Sequence, residues 1–420
     1  MRLLLANKYF FPNGGTEIYL RILLDELPKL GHECVPFAVA YQGDWPSPYA
    51  KYFLPSPAGP GAPRLEQMRL TPGRMLALLD RSIYSLAAQK CLRRLLDETG
   101  PVDAALVINI YNYMSPSILP VLTRRGAPIA MLVGDYNLMC PSYQFLRDNK
   151  PCFLCQKGAY ANGLRYRCVK GSLAASAVRV VSMYVQRLLG LWNLVDLFLT
   201  PCAFMRERLA EAGIPEKKLR LVRYPVRAVV RDTPEPKGNY LLSFGRISAE
   251  KGLDVLIDAY QMAAPDADLV VLGRDYDGEL GRLKARIRPE FASRIRFPGF
   301  ASGDELSRII SGAQLTVVPS RWHDNAPLSV YESMLHGTPV AGAAMGGIPE
   351  QIRDGVDGAL FAPESASDLA GTLTRLLADR ERLAAMGRAG RERVLAQNDP
   401  AAHAAALADI LASLAEGKNR

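Results

Sequence analysis

Short apolar runs alternate with amphipathic stretches along almost the whole chain, the pattern of parallel sheets covered by helices on both faces. In the first half the runs that predict strands are Arg2 to Ala6, Glu33 to Val39, Asp103 to Ile108, Pro128 to Val133 and Val195 to Thr200. In the second half they are Tyr240 to Phe244, Asp268 to Leu272, Arg294 to Phe297, Gln314 to Val318 and Pro339 to Gly342. Ile18, Leu20, Leu23, Leu24 and Leu27 predict a helix that Pro28 ends or kinks, because proline removes a backbone donor.

Tyr224 to Asn239 carries Pro225, Pro234 and Pro236 among charged residues and reads as an extended linker. The expected architecture is therefore α/β. A first Rossmann-like domain spans 1–224, a linker 225–239 and a second domain 240–395, with a terminal helix over 396–420 that can pack back on the first domain. Sheets of this kind bind ligands outside the carboxyl ends of their strands, so the loops after strands hold the candidate chemistry.

Composition narrows the function class. The 420 residues are 49% hydrophobic and 22% charged, which is ordinary globular material with a sizeable core. No run reaches the 18 or so apolar residues of a spanning helix, and the amino terminus lacks a signal-peptide pattern, so the expectation is a cytoplasmic protein. The net charge is +9, and between Pro141 and Arg187 eight Lys or Arg face one acid, Asp148. Such a surface suits a phosphorylated substrate or an anionic membrane face. Nucleic acid is set aside, since no zinc-finger spacing, aromatic RNP motif or sustained basic tract is present.

After the first strand, Gly14-Gly15 precedes the first helix and allows backbone amides to approach an anion; its plainer reading is a tight turn. After the strand ending at Phe244, Gly245-Arg246 is followed by Lys251, and the two cations can converge on a diphosphate. The segment Pro319 to Gly337 frames a short helix, with Pro327 in its first turn and Gly337 as its stop. Free amides at Leu328 and Ser329 can hold phosphate oxygens, and Glu332 can accept two hydrogen bonds from a ribose diol. Asp324, next to Asn325, can meet a sugar.

These segments, with Gly273, Phe297-Pro298-Gly299 and Gly346-Gly347-Ile348-Pro349-Glu350, resemble glycosyltransferase family 4, also called group 1, of the GT-B fold. The resemblance implies a retaining enzyme that moves a sugar from a nucleotide-diphosphate sugar to a glycan or lipid-linked acceptor, with a part in surface polysaccharide synthesis. It assigns Arg246 and Lys251 to the donor diphosphate, Glu332 to the ribose, Gly273-Arg274 and Arg296-Phe297 to the base, and Gly14-Gly15 to the phosphates and sugar. Two positions depart from it. Asp324 stands where the family has Glu, and Gly134 stands where many relatives have His, which leaves Asp135 as a site candidate. No covalent nucleophile stands out and no catalytic metal is expected; Asp275-Tyr276-Asp277 reads as a solvated loop. Rival readings are a sugar-nucleotide epimerase of the same fold and a catalytically weak nucleotide-sugar-binding protein.

Cys140, Cys152, Cys155 and Cys168 fall within 29 residues. Their spacing fits a four-thiolate structural zinc site or unligated thiols, with disulfide or iron–sulfur chemistry as lesser alternatives, and a subset of the family looks similar here. Val178 to Leu189 reads as a basic amphipathic helix, either docked on an anionic membrane or packed on the first domain. The Arg-rich stretch Arg64 to Leu96 is open to the same two readings.

Overall fold

The computed structural model describes residues 1–56, 81–227, 236–276 and 278–418. Asp277, most of the linker and the part of the Arg-rich stretch before Arg81 lie outside the described residues.

Two six-stranded parallel sheets organise the chain. The first contains β1 (Arg2–Ala6), β2 (Glu33–Phe37), β3 (Ala104–Val107), β4 (Ile129–Leu132), β5 (Leu197–Thr200) and β6 (Leu219–Leu221). Their spatial order is β6-β5-β4-β3-β1-β2. The second contains β7 (Tyr240–Phe244), β8 (Asp268–Leu272), β9 (Ile295–Gly299), β10 (Leu315–Val318), β11 (Val340–Ala343) and β12 (Gly358–Phe361), in the order β9-β8-β7-β10-β11-β12. In each sheet the winding direction reverses once, between β1 and β3 in the first and between β7 and β10 in the second. At such a reversal adjacent loops diverge and leave a crevice.

Strands buried on both faces explain the apolar runs. Leu3 and Leu5 of β1 enter one core layer, while Leu4 and Ala6 enter the opposite one. Two strands of these six-stranded sheets, β6 and β12, had no counterpart among the predicted runs. Both are sheet edges, and Arg220 in one and Gly358 in the other dilute the apolar signal. At Pro28 the first helix, α1 (Gly15–Glu26), tightens into a 3-10 turn over Leu27–Leu30, since proline cannot supply the next helical donor.

The other helices that bear on the site are α2 (Leu173–Leu188), α3 (Ala203–Glu211), α4 (Leu328–Leu335) and α5 (Pro400–Lys418). Helix α5 returns to the first sheet, where Leu407 and Leu411 are buried with Leu3, Leu5 and Leu106. Helix α2 turns Arg179 inward, where its guanidinium donates to the Asn137 carbonyl at 2.7 Å. That cation is therefore withdrawn from the basic face that Val178 to Leu189 suggested, because burying it against backbone acceptors satisfies part of its charge. Among the described residues no helix is long and apolar enough to cross a membrane.

Candidate active site

The reversal in the second sheet opens a cleft of about 330 Å³, lined by Gly245, Arg246, Lys251, Pro319, Ser320 and Ser329 among others. Its floor is close backbone packing that only glycine permits. A Cβ on Gly273 would stand 1.9 Å from the Gly245 carbonyl oxygen, and one on Gly252, at φ 66°, would stand 2.1 Å from that of Pro319. The loops after β7, β8 and β10 are thus drawn against one another, and their side chains are left to face the opening.

Two cations stand at this opening, each held by a carboxylate. Lys251 Nζ donates to Asp324 Oδ2 at 2.5 Å, and Ser320 Oγ donates to the same oxygen at 3.3 Å. Arg246 Nη2 lies 3.1 Å from Glu250 Oε1, and the Tyr143 hydroxyl of the first domain is within hydrogen-bonding reach of the same guanidinium. Asp324 is buried, so in this structure it orients Lys251 rather than projecting toward a sugar.

Helix α4 points its amino end at the same opening. Pro327 sits at the cap position with extended ψ of 124°, one residue before the first turn in which the sequence pattern put it, and no side chain caps the helix. The uncapped amides at Leu328 and Ser329 add partial positive charge beside the two cations. One turn further on, Glu332 is half-buried with no side-chain hydrogen bond among the described residues, and desolvation pushes its carboxyl up to about 7.

The first domain closes the other side. A Cβ added to Gly15 would meet Leu328 Cδ1 at 3.1 Å, which sets the Gly14-Gly15 turn against the start of α4. Glu17, in the first turn of α1, is buried and accepts from Asn7 Nδ2 at 3.0 Å; burial raises its carboxyl. Gly134 gives its carbonyl to Asn325 Nδ2 at 2.6 Å, and the Tyr224 hydroxyl would lie 3.1 Å from any Cβ there. Asp135 is half-buried, accepts from the backbone and side-chain amides of Asn137 at 2.9 and 2.7 Å, and is raised by burial. Buried polar atoms without a partner among the described residues gather along this seam: Ser248 Oγ, Trp322 Nε1, both ring nitrogens of His323 and Asn325 Oδ1. Such atoms are costly unless something else satisfies them.

Arg274 stacks on Phe300, with its guanidinium carbon 4.2 Å from the ring centre. Phe297 instead packs against the second-domain core, because β9 alternates and turns position 297 to the helix side. Phe300, Ser320, Tyr143 and Glu250 were not singled out in the sequence. A phenylalanine three residues after a predicted strand was the local signal in the sequence for Phe300, and its exposure emerges only in the fold.

Cys140, Cys152, Cys155 and Cys168 line one pocket of about 290 Å³ in the loop region before α2. All four are free thiols, and among the described residues no three metal-ligating side chains are gathered as a metal group. Burial, followed by the neighbouring thiols, pushes Cys155 up to about 12.

Residues 229–393, which contain β7 to β12 and the cleft between them, match the family described as glycosyl transferases group 1. The second domain belongs to that family. Over the whole chain the fold is GT-B. Sucrose-phosphate synthase from Thermosynechococcus elongatus superposes with a TM-score of 0.72 at 19% identity, covering 98% of both chains. The Anabaena protein HepE in complex with UDP and glucose superposes with a TM-score of 0.66 at 17% identity, covering 98% of this chain and 100% of its own. In sequence, the sulfoquinovosyl transferase SQD2 of Arabidopsis thaliana is 25% identical over 332 residues, 66% of this chain. The chain spans 64% of that curated relative's length. The group 1 domain therefore supplies the cations, the open helix end and Glu332, while the amino-terminal half supplies Gly15, Gly134 and Tyr143.

Proposed function

We propose that this protein is a glycosyltransferase that takes a sugar from a nucleotide-diphosphate donor and passes it, with retention of configuration, to a glycan or lipid-linked acceptor in surface polysaccharide synthesis. One observation carries the reading: Arg246, Lys251 and the uncapped amino end of α4 meet in a cleft at the winding reversal of a group 1 domain. A diphosphate leaving group gains negative charge as the sugar departs, and preorganised cations and amides stabilise that charge in the transition state. Arg246 offers a planar fork for two oxygens and Lys251 a compact charge held in place by Asp324. Glu332, one helical turn from the phosphates, suits the ribose hydroxyls. Arg274 with Phe300 supplies a flat surface for a base. The acceptor class rests on the basic segment 141–187 and on the opening toward the first domain. Asp135, beside Gly134, is assigned to the sugar side of the cleft.

UDP-glucose is the first donor to try, since a structural neighbour was crystallised with UDP and glucose. Wild-type protein is expected to release UDP from it, faster with an acceptor glycan, and Lys251→Met is expected to lower turnover at least a hundredfold with the fold unchanged by circular dichroism. A wild-type protein that binds nucleotide sugars yet neither hydrolyses nor transfers them would replace this reading with the binding-protein one. Conversion of the donor to a sugar epimer would replace it with the epimerase reading.

A further inference from the structure

The segment around the four cysteines holds little regular structure. It contains a hairpin of two-residue strands, Leu146–Arg147 with Lys150–Pro151, and a five-residue helix, Ala161–Arg165. Its own apolar cluster holds Cys155, Tyr160, Val180 and Met183, with Tyr184 against it, while Cys140 and Phe145 anchor its start in the first-domain core. Yet its backbone is tightly specified. Six non-glycine residues here have positive φ: Tyr143, Phe145, Asp148, Asn149, Arg167 and Lys170. Asp148 and Asn149 are the hairpin turn and need no other explanation. Arg167 is the left-handed end of the five-residue helix, where its own amide and that of Cys168 donate to the Leu164 and Gly163 carbonyls, and Lys170 with Gly171 forms a turn closed by the Ser172 amide on the Val169 carbonyl. Tyr143 and Phe145 remain, and conformations of this sort cost about 1–3 kcal/mol each unless the surroundings impose them. Tyr143 follows Cys140 by three residues.

The four cysteines reach the wall of one pocket from three directions. Gly163 lets the short helix lie on Pro141, since a Cβ there would be 2.6 Å from the proline ring, and this brings Cys168 beside Cys140. Cys155 sits in the turn closed by the Gln156 amide donating to the Phe153 carbonyl at 3.1 Å, and Cys152 immediately precedes it. Charge fits as well. A zinc ion with four thiolates is a dianion, and the segment carries an eight-to-one excess of cations, with Arg147 stacked 4.3 Å over Tyr166 at the pocket wall.

We propose that Cys140, Cys152, Cys155 and Cys168 bind one structural zinc ion, which draws the thiols already lining this pocket onto a common centre and fixes the loop. Binding releases four protons, one from each thiol, and changes no oxidation state. The loop so fixed carries Tyr143 to Arg246 and Phe153 to His323, with Phe153 and His323 ring centres 5.0 Å apart. The ion thus shapes the rim of the cleft from outside it. The proposal does not depend on the transferase reading, because its readout is metal content.

Protein purified without chelator is expected to contain about one zinc per chain by inductively coupled plasma mass spectrometry. Replacement by cobalt(II) is expected to give thiolate-to-cobalt charge-transfer bands and the intense d–d bands of a tetrahedral thiolate site. Cys152→Ser with Cys155→Ser is expected to lose the metal, while Cys91→Ser, outside the cluster, keeps it. If the double variant does not fold, thiol titration of the wild-type protein decides: four thiols should be protected until a mercurial releases zinc. A metal-free protein with no cobalt thiolate bands, a mass showing disulfides, or iron with labile sulfide would each overturn the proposal.

Discussion

Glu332 is the residue whose chemistry is most changed by its surroundings. Its carboxyl, pushed up from 4.5 to about 7 by burial, has no compensating donor among the described residues. The ionised carboxylate can accept from both ribose hydroxyls, whereas the protonated carboxyl keeps one good acceptor oxygen and turns the other into a donor, so below about pH 7 tight donor binding must first expel a proton. The dissociation constant for the nucleotide sugar is expected to be flat above about pH 7 and to rise below it, approaching tenfold per pH unit. Glu332→Gln should bind more weakly above pH 7 and lose the pH step; titration calorimetry across that range reads both. Stability has its own sign: the native state holds this proton between 4.5 and about 7 while the unfolded state does not, so stability falls as pH rises through that window. Glu332→Gln should therefore unfold at a higher temperature than wild type above about pH 7. An affinity independent of pH in the wild type would remove Glu332 from the donor site. Gly273 makes a purely steric demand. Gly273→Ala places a methyl 1.9 Å from a backbone carbonyl that cannot rotate away, and it is expected to cost about 1–3 kcal/mol in denaturant unfolding.

At the scale of elements, the two sheets are joined by capping across the cleft. Glu350, at the start of a short helix after Gly346-Gly347, accepts from the Ala203 and Phe204 amides at 2.7 and 2.8 Å. Those amides open α3 in the other half of the molecule, so one domain's carboxylate serves as the other domain's helix cap. Cys202 adds a weaker cap through its sulfur, which accepts from the Met205 amide at 3.4 Å. Loss of a helix cap costs about 1–2 kcal/mol. Glu350→Ala is expected to lower stability by that amount, and Glu350→Gln by less, because one amide oxygen remains as acceptor. Equal losses in the two variants, measured by chemical denaturation, would mean that charge rather than capping matters here. Gly347 is needed in the same joint, since a Cβ there would lie 1.6 Å from the Asn325 carbonyl.

On the scale of the whole molecule, the chain crosses between its halves twice, and the second crossing is structural. Val226 donates to the Asn398 carbonyl at 3.0 Å and Asn398 Nδ2 donates to that of Tyr224 at 2.7 Å, which binds the outgoing and returning strands of chain together. Helix α5 then covers the first sheet beside α1, with His403 hydrogen-bonded to the Tyr19 hydroxyl at 3.0 Å. Truncation after Asp399 would uncover Leu3, Leu5 and Leu106 while leaving β7 to β12 intact. Calorimetry of the truncated chain is expected to show a low-temperature transition from the first half and a separate one from the second. A single unchanged transition would show that α5 contributes little.

The alternation of apolar runs and amphipathic stretches was enough to derive the α/β class, ten of the twelve long-sheet strands and the repetition of the pattern about a proline-rich break. This follows because strands buried on both faces must be apolar throughout, which is a local property of sequence. Gly245-Arg246, Lys251 and the Pro-capped α4 were legible for a related reason: glycines, prolines and cations after strands carry their signal within a few residues. What tertiary structure decided were pairings between distant segments. Lys251 meets Asp324 across 73 residues, Gly134 meets Asn325 across 191, and Glu350 caps a helix that begins 147 residues earlier. Phe297 turned to the core and Arg179 turned inward for the same reason. Which face of an element is buried depends on what packs against it, and only the folded chain sets that.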